Sequence, residues 1–140
     1  MAKCEIQRRV EYAETDMAGI VHFSEFSRYM ESAEHELFRR AGLSVVMQDG
    51  DQQVSWPRVA CAFEFKGPLR FEDEMTVSIW IADIGGKSVT FRCEILCGGD
   101  VKAVGTLTSV CCLIEDGGRV TSMPIPDAVR EKLCAFLTDK

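Results

Sequence analysis

Histidine is nearly absent from this chain, with only His22 and His35, and no serine sits in a Gly-x-Ser-x-Gly run. A serine hydrolase built on a nucleophile elbow is excluded. Positive charge is also short: 16 Lys and Arg stand against 22 Asp and Glu, for a net charge of −6. That excludes a general nucleic-acid binder, which needs a basic face. No apolar run approaches the ~20 residues that a membrane span requires. The opening MAKCEIQRRV lacks the apolar core of a secretory signal. The expectation is a cytoplasmic protein that does not insert in a membrane. Seven cysteines, an odd number, include no Cys-x-x-Cys pair and no neighbouring histidines, so no metal site is expected. They read as small buried hydrophobes in a reducing compartment. The 140 residues suit one domain over 1–140, long enough for a core.

What is present concentrates between Glu11 and Leu43, EYAETDMAGIVHFSEFSRYMESAEHELFRRAGL. Phe26, Met30, Ala33, Leu37 and Ala41, with Tyr29 and Phe38 beside them, recur at three- and four-residue spacing. This pattern predicts an amphipathic helix from Phe23 or Ser24 to Ala41, about 30 Å long at ~1.5 Å per residue. Acids lead and Arg39 and Arg40 close it, as the helix dipole favours. Gly42 sits where a left-handed cap belongs. Asp16 lies just before this helix. Two readings stand side by side: a carboxylate that caps the helix, or an acid beside free N–H groups that stabilise negative charge on a carbonyl oxygen.

The rest of the chain reads as strands. Residues 3–13 alternate imperfectly and predict a first strand. Residues 44–53 predict a polar connection broken at Gly50. Val54–Phe65, Met75–Ile84, Ser88–Leu96 and Val101–Ile114 predict four strands, with Pro57 making the start of the first an edge or an irregularity. Gly85-Gly86 and Gly98-Gly99 mark tight hairpins, so these strands are antiparallel neighbours. Pro126 opens a short terminal helix within Ile125–Leu137. A helix with a full apolar stripe needs a sheet to cover it, so the fold class is α+β, a curved antiparallel sheet wrapped around one long central helix.

Tyr12-x-x-Thr15-Asp16-x-x-Gly19-Ile20-Val21-His22-Phe23, followed by Phe26-x-x-Tyr29-x-Glu31-x-Ala33, resembles the hotdog-fold acyl-CoA thioesterases. The nearest branches are the hydroxybenzoyl-CoA thioesterases and the small bacterial acyl-CoA thioesterases. Gly67-Pro68-Leu69-Arg70-Phe71-Glu72-Asp73-Glu74 resembles the strand-joining turn of the same proteins. The resemblance implies hydrolysis of a short-chain or aromatic acyl-CoA, with coenzyme A as part of the substrate and no further cofactor. A thiol leaving group, with a pKa near 8.5 if cysteine is a guide, departs with little help from a general acid. One carboxylate and one oxyanion site then suffice.

By this resemblance Asp16 is the catalytic carboxylate, attacking the thioester or activating water. Gly19 brings the turn close to the substrate, and the backbone N–H of Phe23 polarises the carbonyl. His22 is a pocket-lining or interface residue. Hotdog hydratases space their Asp-His pair by five with Asn-Pro between, and this chain has Met17-Ala18-Gly19-Ile20-Val21 instead. Glu25 departs from the Asn that many relatives carry and adds an acid that repels or repositions Asp16. Glu31 matches the position where the hydroxybenzoyl branch places an acid facing the phenol, though it also reads as a solvated or interface acid. Lys87 and Ser88 resemble the family's basic turn for the nucleotide phosphates, with Arg92 as a further candidate, against the reading of a solvated hairpin charge. Arg58, Lys66 and Arg70 complete the cations available for a basic patch. Hotdog proteins generally pair their sheets edge to edge, which implies a homodimer or homotetramer. The alternatives are a non-catalytic acyl-CoA or acyl-carrier binding module, and a structural partner protein.

Overall fold

The structure, a computed structural model, describes residues 3–138. A five-stranded antiparallel sheet has the order β1 (Cys4–Arg9), β5 (Glu74–Ile84), β6 (Ser88–Cys97), β7 (Asp100–Val110) and β4 (Arg58–Phe65). A smaller sheet has the order β2 (Met47–Asp49), β3 (Gln52–Ser55), β8 (Cys112–Ile114) and β9 (Val120–Ser122). One long helix, α1 (Phe26–Arg40), packs against the large sheet, and a short α2 (Asp127–Leu133) follows the last strand. This is the hotdog arrangement that the resemblance implied.

The helix forms where the apolar period predicts it. Phe26, Tyr29, Met30, Ala33, Leu37 and Phe38 are buried against Met75, Val77, Ile79 and Ile81 of β5 and Val89, Phe91 and Ile95 of β6. Burying each large side chain is worth about 1.5–3 kcal/mol. Its first turn is tighter than predicted: Phe23–Glu25 is a 3-10 turn leading into α1. Its end is a Schellman cap, in which Leu43 N–H donates to Phe38 O (2.8 Å) and Gly42 N–H to Arg39 O (3.0 Å), with Gly42 at φ +80°.

Three strand expectations are corrected. The first strand ends at Arg9, because Glu11 and Glu14 form a capping box around a 3-10 turn, Tyr12–Glu14. Residues 44–53 are not a plain connection: β2 and the start of β3 form a hairpin that turns at Gly50, φ +66°. Val54–Phe65 and Val101–Ile114 are each two strands, one in each sheet. Pro57 has no N–H to give to a ladder, so the chain leaves the small sheet there and enters the large one. Cys111 marks the same change between β7 and β8, its N–H turned to Lys87 O (2.7 Å).

β4 is an edge, paired only with β7. Most of it is exposed, including Val59, Ala60, Cys61, Ala62 and Phe65. No helix among the described residues is long and apolar enough to cross a membrane.

Candidate active site

β1 delivers the chain to a short loop that folds back on itself. Thr15 pairs with Val21 in an antiparallel bridge. Inside that bridge Asp16 N–H donates to Ile20 O and Gly19 N–H to Asp16 O, both at 2.9 Å. Gly19 stands at φ +81°, a left-handed conformation that costs a residue with a Cβ roughly 1–2 kcal/mol. Nothing lies within 4 Å of the Cβ position there, so the glycine is required by the backbone angle and not by crowding.

The Asp16 carboxylate is oriented by its own loop. Ala18 N–H donates to Oδ1 at 2.9 Å, and Oδ2 has no donor among the described residues. Val21 N–H donates to Leu69 O (2.8 Å), which ties this loop to the 66–73 segment. The 3-10 turn at Phe23 then starts the helix. His22 caps that turn: Ser24 N–H donates to its Nδ1 at 3.3 Å, and its ring lies 4.7 Å from the Phe23 ring. The N–H of Phe23 donates to no acceptor among the described residues, as befits the first turn of a helix.

Asp16 and Phe23 line one open cavity of about 600 Å³, together with Phe26, Phe65, Lys66 and Arg70. That volume suits a small-molecule site. Its inner wall is aromatic. The Phe26 and Phe65 rings meet edge to face at 5.0 Å, and Phe63 stacks on Phe65 at 6.1 Å. Gly105 makes space for this cluster, since a Cβ there meets the Phe63 ring at 2.5 Å. Lys66 donates to Glu64 at 3.0 Å, whereas the Arg70 side chain has no carboxylate partner among the described residues. Asp16 also borders a second open cleft of about 620 Å³, lined by Tyr12, Met17, Gly19 and Phe71.

The other residues singled out in the sequence lie elsewhere. Glu25 is drawn to Arg28, 3.9 Å away, and does not line the cavity; nor does His22. Glu31 accepts from Arg58 at 3.2 Å, farther along α1, and borders a separate cleft with Cys61. Lys87 and Ser88 stand at the β5–β6 turn. The Asp16 loop adjoins the other end of β5, where Arg9 pairs with Glu74, some 30 Å away along the strand at ~3.3 Å per residue. Arg92 projects from β6 into a groove beside Trp80 on the sheet surface that faces away from α1. Within one chain these cations do not meet Asp16. Among the described residues no group of three or more His, Cys, Asp or Glu is placed to hold a metal ion.

Pattern reading missed Phe65 as a cavity residue and named Lys66 and Arg70 only as cations for a basic patch, without their place at the cavity. The signal was present in part: alternating aromatics at Phe63 and Phe65, then the Gly67-Pro68 turn.

Comparison with known proteins shows the family. Residues 10–133 match the model of the thioesterase-like superfamily. A protein of Aquifex aeolicus (strain VF5) named as an esterase is 32% identical over 119 residues, 84% of this chain and 89% of that one. The 4-hydroxybenzoyl-CoA thioesterase of Pseudomonas sp. (strain CBS-3) is 28% identical over 127 residues, 86% of this chain and 90% of that one. Among solved structures, an aspartate-to-asparagine variant of 4-hydroxybenzoyl-CoA thioesterase complexed with 4-hydroxybenzoyl-CoA superposes with a TM-score of 0.81 at 21% identity, covering 95% of this chain and 99% of that one. The chain belongs to the thioesterase-like superfamily and is a thioester hydrolase of the hotdog fold.

Proposed function

We propose that the protein hydrolyses aromatic acyl-CoA thioesters through Asp16 and the N–H of Phe23. The observation that carries this reading is that the residues Asp16 and Phe23 line one cavity together with Phe26 and Phe65. Aromatic walls favour an aromatic acyl group through edge-to-face and offset contacts worth about 0.5–1.5 kcal/mol each. The names of the Pseudomonas relative and of the structural neighbour, both 4-hydroxybenzoyl-CoA thioesterases, point the same way.

The thioester carbonyl oxygen accepts from the Phe23 N–H at the positive end of α1, where developing charge is stabilised. Oδ2 of Asp16 approaches the carbonyl carbon. In one route it bonds to that carbon, the C–S bond breaks, coenzyme A leaves as thiolate, and water hydrolyses the resulting mixed anhydride. In the other route Asp16 takes a proton from the attacking water. Single turnover in heavy-oxygen water tests for the anhydride: label in the Asp16 carboxylate, which arises when water attacks the aspartyl carbon, establishes that route.

The exposed apolar edge β4 is the surface for a second copy of the chain, since an open edge strand is a template for pairing. Such a pair brings the partner's β5–β6 turn, with Lys87 and Ser88, toward this chain's cavity. It adds the Lys87 cation for the nucleotide phosphates to Lys66 and Arg70, which the chain itself places at the cavity. The protein works in a reducing compartment such as the cytoplasm, where its seven thiols stay free.

The test is hydrolysis of benzoyl-type and short and long aliphatic acyl-CoAs by wild type and Asp16→Asn, following loss of the thioester itself. Turnover of benzoyl-type substrates that Asp16→Asn abolishes supports the reading. Binding without turnover points to an acyl-CoA binding module. Turnover that survives Asp16→Asn overturns the assigned mechanism.

A further inference from the structure

Beneath the Asp16 loop lies a buried polar cluster that the reaction as written does not use. Glu14 is almost fully buried, and Tyr29 is fully buried on α1, one turn beyond the start of the helix. Tyr29 OH donates to Glu14 Oε1 at 2.7 Å. The same oxygen accepts from Glu11 N–H at 2.9 Å. Arg8 Nη2 donates to Glu14 Oε2 at 3.2 Å, while Arg8 Nη1 donates to Ser32 Oγ of α1 at 2.8 Å. The Arg8 guanidinium also lies over the Tyr29 ring, 4.9 Å from its centre.

The backbone of Glu14 is equally committed. Its carbonyl accepts from His22 N–H at 2.9 Å. Glu14 therefore holds both ends of the reactive loop: Asp16 is two residues along the chain on one side, and His22, bonded across, is the residue before the Phe23 donor on the other. Its side chain then anchors this junction to the helix whose first turn provides that donor.

We propose that Glu14 and Tyr29 are positioning residues that set the placement of the Asp16 carboxylate relative to the Phe23 N–H. This inference rests on the hydrolase reading above and adds residues to its machinery. Burial, and then the bond to Glu14, push the Tyr29 phenol far above its usual range, so it remains a donor throughout the neutral range. A short buried bond between a loop and a helix fixes geometry better than an exposed one, because no water competes for either partner. A displacement of about 1 Å at reacting atoms costs up to about a hundredfold in rate.

The test compares Tyr29→Phe, Glu14→Ala and Glu14→Gln in the full-length protein. Tyr29→Phe is expected to lower kcat by about tenfold or more with KM within about twofold of wild type. Glu14→Gln, which keeps an acceptor for Tyr29 OH and for Glu11 N–H, recovers most of the activity that Glu14→Ala loses. Backbone amide exchange is the second readout and needs no substrate. Amides of residues 14–22 exchange faster in Tyr29→Phe, while those of β5–β7 keep their protection. A kcat per folded molecule within about twofold of wild type overturns the proposal, and so does unchanged exchange at 14–22. Should wild type hydrolyse no thioester, the proposed function fails, and the exchange comparison still decides whether Tyr29 clamps the loop.

Discussion

Arg58 of the edge strand β4 grips the carboxylate of Glu34, which is completely buried on α1. Nη1 donates to Oε2 at 2.9 Å and Nη2 to Oε1, a two-pronged bond between planar groups. Arg58 also donates to Trp56 O and to Ser109 Oγ, and its Nη2 reaches Glu31. This pair fastens the outermost strand of the sheet to the central helix. Burial pushes the Glu34 carboxyl up, and the Arg58 guanidinium opposes that rise.

Arg58→Met strands Glu34 as a buried charge and is expected to destabilise the protein by about 3–5 kcal/mol. Replacing both, Arg58→Met with Glu34→Leu, restores most of that loss. The single variant also acquires a pH dependence. A carboxyl raised in the folded state binds its proton more tightly there than in the unfolded chain. Its contribution is fully present below the unfolded pKa and is lost as pH rises through the folded one. Urea unfolding at pH 5 and pH 7 checks this: the Arg58→Met deficit is smaller at pH 5. An equal deficit at both values refutes it.

Gly105→Ala drives a methyl into the Phe63 ring, since the Cβ position lies 2.5 Å from one ring carbon and 2.9 Å from another. Phe63 must move, and Phe65 and Phe26 move with it. The cost is about 1–3 kcal/mol of overpacking. KM for an aromatic acyl-CoA rises while Asp16 and its loop stay in place. Thermal unfolding and steady-state kinetics read the two effects separately.

Glu72 is the one non-glycine residue at positive φ (+70°) among the described residues. Its N–H donates to Val10 O and its carbonyl accepts from Arg9, so the backbone is held on both sides. Glu72→Asn keeps those bonds and suits the left-handed conformation better. Stability rises by up to about 1 kcal/mol, or a few degrees in Tm. A lower Tm contradicts this account of the turn.

The thiols divide by burial. Desolvation pushes Cys93 up to about 12 and Cys111 to about 11, and neither attacks an alkylating reagent at pH 8. Cys134 is exposed and is labelled quickly. Cys61 is exposed on β4 in the single chain; a second copy seated on that edge protects it. Mass analysis of peptides after brief alkylation shows which sites react. Under the proposed edge pairing, Lys at positions 60 and 62 in place of Ala60 and Ala62 separates the copies and unmasks Cys61. If the proposed pairing brings the partner's Lys87 turn to the cavity, the same double variant also loses thioesterase activity.

Periodicity carried the fold because each long element buries one face. The α1 stripe of Phe26, Met30, Ala33 and Leu37 and the alternation of Val89, Phe91, Cys93 and Ile95 are direct records of which side meets the core. The residues 44–53 carry too few apolar side chains to record a face, and their hairpin went unread. Pro57 announced a break, yet only three-dimensional pairing shows that the break is a passage between sheets. At the candidate site, Asp16 and Phe23 belong to one motif and are close in sequence, so the resemblance could name both residues that line the cavity. Phe65, Lys66 and Arg70 reach the same cavity from about fifty residues away, and no local pattern encodes that encounter. Nothing in the local pattern marks Glu34 as a buried acid. Its burial follows from Arg58, a partner 24 residues distant.

The bond from Ala18 N–H to Oδ1 of Asp16 makes the proposed catalytic acid self-contained. Its aim is written into a segment shorter than one heptad, while other walls of the cavity come from an edge strand and a turn elsewhere in the chain. Substitutions that reshape the walls leave that aim untouched. A lineage built this way is free to exchange one acyl group for another without having to reinvent the step that cleaves it.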